Sequence, residues 1–387
     1  MLNHNRTLRN IFLFLLLIGL MTAGDRITEL NNIHLDTEFH FLIANNDQLI
    51  SWNEGMVRIG NQIVDTKGIG KIVNVIPNTY HQGHLAAFFT EDLKLNDHYS
   101  IYLLQKNGEI DFLKIIIKSI DIGLPELLFS PTGLVLLQPE GQKVQIISFR
   151  NGTGIEYSLF NKSSWSHEKK LLYSENYSGN IYLLGMKSAD LNAQENVSIF
   201  KLNNEPNLIR DLPLTIPYFF SISNENISAI VGTQSQLFPN QQKPFLIFYD
   251  INHQTINQTI ALKKLPQKTG WFRDQFFLIY RDKILIYNDK TTEPLRRRDF
   301  QSKIYPIDSW IIDQSVYIIA GGNIEADNHG NIYQSIILKE YNMSDQSAST
   351  ILLQDGLVRN VDVFPLEMVN SFYLRLDNLL IQYRIIE

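Results

Sequence analysis

One phrase recurs along this chain at intervals that few folds can accommodate. It is a short apolar run with an aromatic side chain near its end, followed by a polar turn. It reads "LISWNEG" near Trp52, "SIYLLQKNG" near Leu104, "QIISFRNG" near Phe149 and "VSIFKLNN" near Phe200. It returns as "FLIFYDIN" near Tyr249, "ILIYNDK" near Tyr287, "IILKEYNM" near Tyr341 and "LLIQYR" near Tyr383. The eight echoes stand 38 to 54 residues apart, with a mean near 47. Within them the apolar runs are short and alternate, which is the period of a strand. A helical repeat would place apolar residues at i, i+3, i+4 and i+7 over about 12 residues or more. Short strands repeating in the forties predict an array of small sheets rather than stacked helices.

Reading two units in full supplies the rest of the grammar. From Pro217, "PYFFSIS", "ISAIVGT", "KPFLIFYDI" and "TINQTIALKKL" make four strands. From Ile304, "IYPIDSW", "SVYIIAGG", "YQSIILKEY" and "STILLQDG" make four more. Four strands per unit, the third ending in a ring plus Asp or Asn, resembles the β-propeller superfamily. "IFYDINHQT" (residues 247–255) is similar to the third-strand ending of WD-type blades. The Gly-His dipeptides and regular Trp-Asp of true WD repeats are absent, as are the Trp-rich docking motifs of quinoprotein propellers, so the resemblance implies no cofactor. What it implies is an all-β chain folded as a single propeller of seven or eight four-stranded blades, with eight echoes favouring eight.

The two termini fit that expectation. The last phrase, residues 371–387, leaves no room for a fourth strand, while "DRITELNN" stands spare ahead of "IHLD", where the first blade is expected to begin. The segment 25–31 is therefore expected to complete the blade formed by residues 358–387. Ring closure of this kind removes an open edge that would otherwise pair with other chains.

Composition narrows the function. Aromatic residues at 11% suit strands. A formal net charge of -6 gives no long-range field for nucleic acid. The one compact basic run, Arg296-Arg297-Arg298, is followed at once by Asp299 and reads as charge guarding an edge strand. Arg6 and Arg9 precede the apolar run 11–21, and "MTAG" then supplies small residues. This is the pattern of a cleaved signal peptide over residues 1–23, since the run is about half of what a membrane span needs. The chain has no Cys, so an exported product would rely on burial and strand pairing rather than disulfides. Seven N-x-S/T sequons, at Asn151, Asn161, Asn176, Asn196, Asn226, Asn257 and Asn342, carry little weight in so Asn- and Ser-rich a chain.

No chemistry stands out. His81 and His84 in "YHQGH" are two ligands at most, short of the three or four that zinc requires, so they read as a solvated turn. "GGNIEADNHGNIYQ" (residues 321–334) is only faintly like a calcium loop, since His and Ile stand where Asp and Glu are needed; it reads as a hairpin loop. "GIGKIV" is not a phosphate loop, and no G-x-S-x-G nucleophile elbow occurs. No metal site and no cofactor are expected.

One arrangement goes further. In blade grammar, connections from second to third strand share a face with the connections between blades. The enlarged ones are 91–98, 187–196, 233–244 and 321–331, and "NKSSWSHEKK" reaches the same rim. Other blades make a tight turn there, as in "FFLIYRDKILIYND". Varied loops on a rigid scaffold are where binding usually lives. The residues expected on this partner-binding face are His98, Trp165, His167, Asp190, Phe238, Glu325, Asp327 and His329. The resulting expectation is an exported protein, periplasmic or secreted and without a stable membrane span after cleavage. It is read as a non-enzymatic propeller binding a protein or cell-envelope partner. The alternative is a propeller enzyme or carbohydrate-binding protein with its site at the central channel.

Overall fold

The computed structural model describes residues 27–34, 41–44, 49–59, 62–78, 84–91, 98–117, 126–130, 133–140, 143–150, 153–158, 171–175, 180–187, 195–202, 206–235, 242–300, 303–327, 330–366, 370–377 and 379–385. Among these, the regular elements are all strands apart from a single 3-10 turn (Lys67–Ile69). The first strands are β1 (Ile27–His34), β2 (Phe41–Ala44), β3 (Leu49–Trp52), β4 (Met56–Ile59) and β5 (Gln62–Asp65). Next come β6 (Lys71–Pro77), β7 (His84–Glu91), β8 (His98–Gln105) and β9 (Ile110–Ile117), then β10 (Glu126–Ser130), β11 (Gly133–Glu140), β12 (Lys143–Arg150) and β13 (Thr153–Ser158). They are followed by β14 (Leu171–Glu175), β15 (Ile181–Met186), β16 (Val197–Leu202) and β17 (Pro206–Leu212), and by β18 (Ile216–Ile222), β19 (Ile227–Ser235), β20 (Gln242–Asp250) and β21 (Thr255–Ala261). The rest are β22 (Lys268–Phe272), β23 (Gln275–Ile279), β24 (Lys283–Tyr287), β25 (Arg296–Asp299), β26 (Tyr305–Ile312), β27 (Ser315–Asp327), β28 (Gly330–Asn342), β29 (Ala348–Val358), β30 (Val361–Leu366), β31 (Ser371–Leu376) and β32 (Leu379–Ile385).

They assemble into eight four-stranded sheets, seven of them in simple sequence order: β2–β5, β6–β9, β10–β13, β14–β17, β18–β21, β22–β25 and β26–β29. The eighth runs β1-β32-β31-β30, so the first strand of the chain is the fourth strand of the last sheet. Its register runs from Ile27 opposite Ile385 to His34 opposite Leu379, with one shift between Glu29 and Asn31. The N-terminal segment thus does complete the last sheet, but it is longer than expected. Ile33 and His34, read above as the start of the first blade, belong to it, and Val358 belongs to β29.

That donation corrects one further reading. Seven of the eight echoes lie on third strands, namely β8, β12, β16, β20, β24, β28 and β32. The eighth, "LISW", is β3, a second strand. With β1 given to the last sheet, the first sheet starts only at Phe41, and its third strand is the short β4.

By contact the chain divides into two compact units, Trp52–Asp299 and the pair of segments Met1–Ser51 and Phe300–Glu387. Within the first, sheets pack face to face. Ala229, Val231, Leu246 and Phe248 of β18–β21 meet Phe276, Leu278, Tyr280 and Tyr287 of the next sheet. Leu184, Val197 and Ile199 meet Ile230, Ile247 and Tyr249 in the same way. In the other unit, Trp310, Ile319, Ile336 and Leu338 pack on Phe372, Leu374, Ile381 and Tyr383.

A sheet covered on both faces needs strands that are apolar throughout, and several second strands come close. "IYLLGM" (β15) is buried at every position, and β7 at all but its ends. Fourth strands are the opposite. Every exposed large apolar side chain among the described residues lies on a fourth strand or one residue before it: Leu30, Ile63, Phe112, Ile115, Leu208, Leu295, Leu352 and Leu357. Fourth strands are also hooked to the following sheet at its turn between third and fourth strands. Gln62 Nε2 donates to Asn107 O at 3.2 Å, Arg210 Nη1 to Gln254 O at 3.0 Å, and Asn257 Nδ2 to Asp289 Oδ2 at 2.9 Å.

Candidate functional site

The unit Trp52–Asp299 has one end at which hairpins of very different length leave equivalent strands. There the second strand passes into the third. Two residues (141–142) separate β11 from β12, and three (280–282) separate β23 from β24. Six separate β7 from β8 (92–97) and β19 from β20 (236–241), and ten separate β15 from β16 (187–196). The connections between sheets run along the same end. Thr215, just before β18, donates its N–H to Thr233 O at 2.7 Å. Gln267, just before β22, does the same to Ile279 O at 2.8 Å. At the start of β6 the link is made by a side chain instead, Thr90 Oγ1 donating to Ile69 O at 3.0 Å.

Where the two long connections of neighbouring sheets leave, these links fuse into a continuous ledge. Lys187 N–H donates to Asn196 O at 2.7 Å and closes the base of the ten-residue connection. Asn196 donates its own N–H to Leu214 O at 3.0 Å and its Nδ2 to Thr215 O at 3.1 Å. The Thr215 N–H reaches Thr233 O, and Thr233 Oγ1 donates to Gln242 Oε1 at 3.0 Å, across the base of the six-residue connection. Asn196, Thr215 and Thr233 are all buried, at 1%, 0% and 3% exposure. Buried polar groups of this kind are costly unless partnered, so the ledge fixes where both connections begin and end. Its outer side carries an ion pair of Lys187 with Asp211, to which Ser198 Oγ also donates at 2.7 Å. Both charged groups are about one-third exposed, so the pair adds charge to the ledge more than stability.

The three-residue hairpin between β23 and β24 is organised differently. Tyr280 N–H donates to Lys283 O at 2.8 Å, and Lys264 from the preceding connection reaches Asp282 at 3.2 Å. Lys264 and Lys283 also lie 5.5 and 5.8 Å from the centre of the Tyr280 ring. Burial pushes the Tyr280 hydroxyl well above the ordinary tyrosine range, helped by Tyr287 and the Asp282 charge. For Asp282 itself, desolvation works to raise the carboxyl. The Lys264 hydrogen bond, the residue's own backbone and the two lysine charges outweigh it and hold the group below its usual value.

The other unit carries a different device. The stretch 321–331, read above as an enlarged loop, is strand for most of its length: β27 runs to Asp327 and β28 starts at Gly330. The two pair without a break in direction from Ser315 opposite Asn342 out to Asp327 opposite Gly330. The two glycines at the start of that stretch make room for side chains across the ladder. A Cβ on Gly321 would overlap the Tyr333 ring, and one on Gly322 would meet Ser335 Oγ at 2.5 Å. Because β26 reaches no further than Tyr305 opposite Gly321, the outer part of this hairpin extends past the first strand of its sheet.

Of the residues expected on the binding face, His98 is the first residue of β8, half-buried, opposite Ile117. Glu325 is exposed on the long hairpin and accepts from Gln334 Nε2 at 2.9 Å; Asp327 ends β27. Trp165, His167, Asp190, Phe238 and His329 lie outside the described residues, as does His81. His84 opens β7, with Nε2 at 3.8 Å from Asp111. Among the described residues no three His, Asp or Glu side chains gather where they could hold a metal ion. The ledge residues Asn196, Thr215, Thr233 and Gln242 escaped sequence reading. Asn196 and Thr233 appeared in the sequence only as a sequon and as the bounds of the connections 187–196 and 233–244, and their position in the fold is what makes them structural.

No family model matches the chain, and no curated protein does. Among solved structures it is similar to BamB from Moraxella catarrhalis, with a TM-score of 0.52 and 13% identity over 93% of this chain and 100% of that one. It is similar also to Saccharomyces cerevisiae Sqt1, with a TM-score of 0.56 and 9% identity over 93% of this chain and 99% of that one. A third is the dihydro-heme d1 dehydrogenase NirN in complex with DHE, with a TM-score of 0.50 and 9% identity over 82% of this chain and 67% of that one. At such identities the likeness is one of fold, and the fold is the β-propeller. One of the three is by name a dehydrogenase, so the fold does not by itself assign an activity. No helix among the described residues is long and apolar enough to cross a membrane.

Proposed function

We propose that this chain is an exported, non-enzymatic propeller, a single domain over residues 24–387 behind a leader over 1–23. Its hairpin end in the unit Trp52–Asp299 binds a protein or another cell-envelope component. The observation that supports the reading is the contrast between fixed roots and varied connections. Connections of two, three, six and ten residues leave equivalent strand ends, and a ledge of buried hydrogen bonds holds the two neighbouring roots at 187–196 and 236–241. A rigid base under segments of unequal length is the arrangement that binding surfaces on β scaffolds use. Export places the protein where such partners are met, in the periplasm or outside the cell.

The test replaces residues 188–194 and 236–241, singly and together, by short turns that retain the ledge. The variants are expected to melt close to the wild type. Capture of envelope components by the tagged mature protein is expected to fall in the single variants and to vanish in the double. Undiminished capture by the double variant would move the binding surface elsewhere. Sequencing the mature N-terminus checks the leader, with Gly24 or Asp25 the expected first residue; intact Met1 in a membrane fraction would overturn export by cleavage.

A further inference from the structure

The last sheet is completed by a strand that has to wait for its partners. In the other seven sheets, two to eight residues separate the third strand from the fourth, so each fourth strand meets its neighbour as soon as both have been made. β1 has no such neighbour. Among the described strands it pairs with β32 alone, and the other three strands of its sheet all lie within Val361–Ile385. Residues 35–378 stand between the two pairing strands. A ribosome adding about 5–20 residues per second completes β32 roughly 20–70 s after β1. Until then β1 has no sheet to join.

What precedes β1 in the sequence is the run read as a leader. The expected cut, after Ala23 or Gly24, leaves only three or two residues before Ile27, where β1 begins. Ile27 stands opposite Ile385 and packs against the core that holds Trp310, Phe372 and Tyr383. Thr28 and Glu29 follow, opposite Arg384 and Tyr383. A protease takes its substrate as locally unfolded, extended chain, so cutting of a folded protein follows the population of its open form. The residues after the bond must enter the peptidase together with it. Ile27 cannot do so while it is held against Ile385.

We propose that the last sheet gates the processing of this chain: the leader is cut while β1 is unpaired, and the pairing of β1 with β32 withdraws the bond. The step is a hydrolysis. A signal peptidase adds water across the peptide bond after Ala23 or Gly24, leaving a carboxylate on the leader and a free amine on the mature chain. Because the partner of β1 is the last strand of the protein, the bond stays open while the seven sequential sheets are made. A fourth strand joined to its third by a short hairpin would have closed at once and carried the bond with it. A chain that closes with its leader attached keeps it. The inference rests on the leader reading, and the experiment reports on the two separately.

The chain has no Cys, so one engineered pair can lock the strand. Thr28 and Arg384 stand opposite each other and both are exposed. Thr28→Cys with Arg384→Cys joins β1 to β32 on oxidation and frees it on reduction. The precursor, residues 1–387, is purified in detergent and treated with a bacterial signal peptidase, and the products are weighed by mass spectrometry. Precursor diluted from denaturant straight into the peptidase is expected to be cut promptly. The folded wild type is cut about tenfold or more slowly, since only its open fraction is a substrate. The oxidised pair variant is cut more slowly still, and reduction returns it to the rate of the folded wild type. Precursor ending at Asn378, which lacks β32, is cut at the rate of the unfolded chain whether or not its other sheets form. Equal rates for folded, locked and unfolded precursor overturn the gate and leave the leader standing, as does a locked precursor cut as fast as its reduced form. No cut after Ala23 or Gly24 in any form, the unfolded chain included, overturns the leader reading and the gate with it.

Discussion

The β19–β20 and β23–β24 hairpins belong to successive sheets and receive the same support from outside. In each, the residue before the first strand donates its N–H to the end of the second strand, Thr215 to Thr233 O and Gln267 to Ile279 O. Beyond that common bond they part. At β23–β24 the chain turns back within three residues and is clasped from its flank by Lys264, an exposed contact. At β19–β20 the restraint lies beneath the turn, in Thr233, Thr215 and Asn196, all buried. A short turn fixes its own strand ends, whereas a long connection leaves them to be fixed by the scaffold. The ledge is thus what permits length to vary at this end of the sheet.

The sharpest way to break the comparison is to exchange side chains one step below the common bond. There β19 carries Gly232 and β23 carries Leu278. A Cβ on Gly232 would come within 2.7 Å of Ile216 O and 2.9 Å of Leu214, so the connecting chain occupies the space a side chain would need. Leu278 is fully buried and fills its equivalent place. Gly232→Ala is expected to destabilise by about 1–3 kcal/mol through overpacking, and Leu278→Ala by about 2–5 kcal/mol through the cavity it leaves. Chemical denaturation of both proteins measures it. A neutral Gly232→Ala would mean that the connection is not held against β19 as described.

Next in size is the ledge itself. Asn196→Ala removes the donor to Thr215 O and leaves that carbonyl without its side-chain partner, at a cost of about 1–3 kcal/mol. Hydrogen exchange should show faster opening at both roots, 187 and 242, while the β23–β24 hairpin is unaffected. Equal acceleration at all three would show that the two hairpins are not restrained independently.

How much of this was legible beforehand follows from what a sequence can encode locally. Strand periodicity and a ring before a polar turn are local, and they located seven third strands. How far a terminal strand runs before the next sheet begins is not local: the N-terminal segment was assigned to the right sheet, but Ile33–His34 were read as opening the first blade, and that gave "LISW" the wrong place. The stretch 321–331 misled for a related reason. Paired glycines signal a turn in isolation, but here each lies under a side chain of β28, and the partner decides. The ledge was invisible because Asn196, Thr215 and Thr233 are single polar residues far apart in sequence, joined only by the packing of two sheets. Residues whose value lies in a contact between distant segments leave no mark in any one of them.

The smallest effect expected is the clasp at β23–β24, and its pH dependence is what identifies it. The Asp282 carboxyl is held below its usual value in the folded protein, so folding favours the charged form. Its contribution is fully present above the unfolded carboxylate value of about 3.9 and is lost as pH falls through the lower folded value. Because Asp282 and Lys264 are 41% and 53% exposed, solvent screens the pair and its worth is below about 1 kcal/mol. Asp282→Asn should therefore lower the melting temperature slightly at pH 7. The difference from wild type should shrink on acidification below pH about 4 and in high salt. Asn196→Ala should keep its deficit across the same range, since no charge is involved. If the Asp282→Asn deficit persisted unchanged at low pH, the hairpin would be held by its backbone turn and the Tyr280 packing alone, and the contrast between an exposed clasp and a buried ledge would reduce to a difference in length.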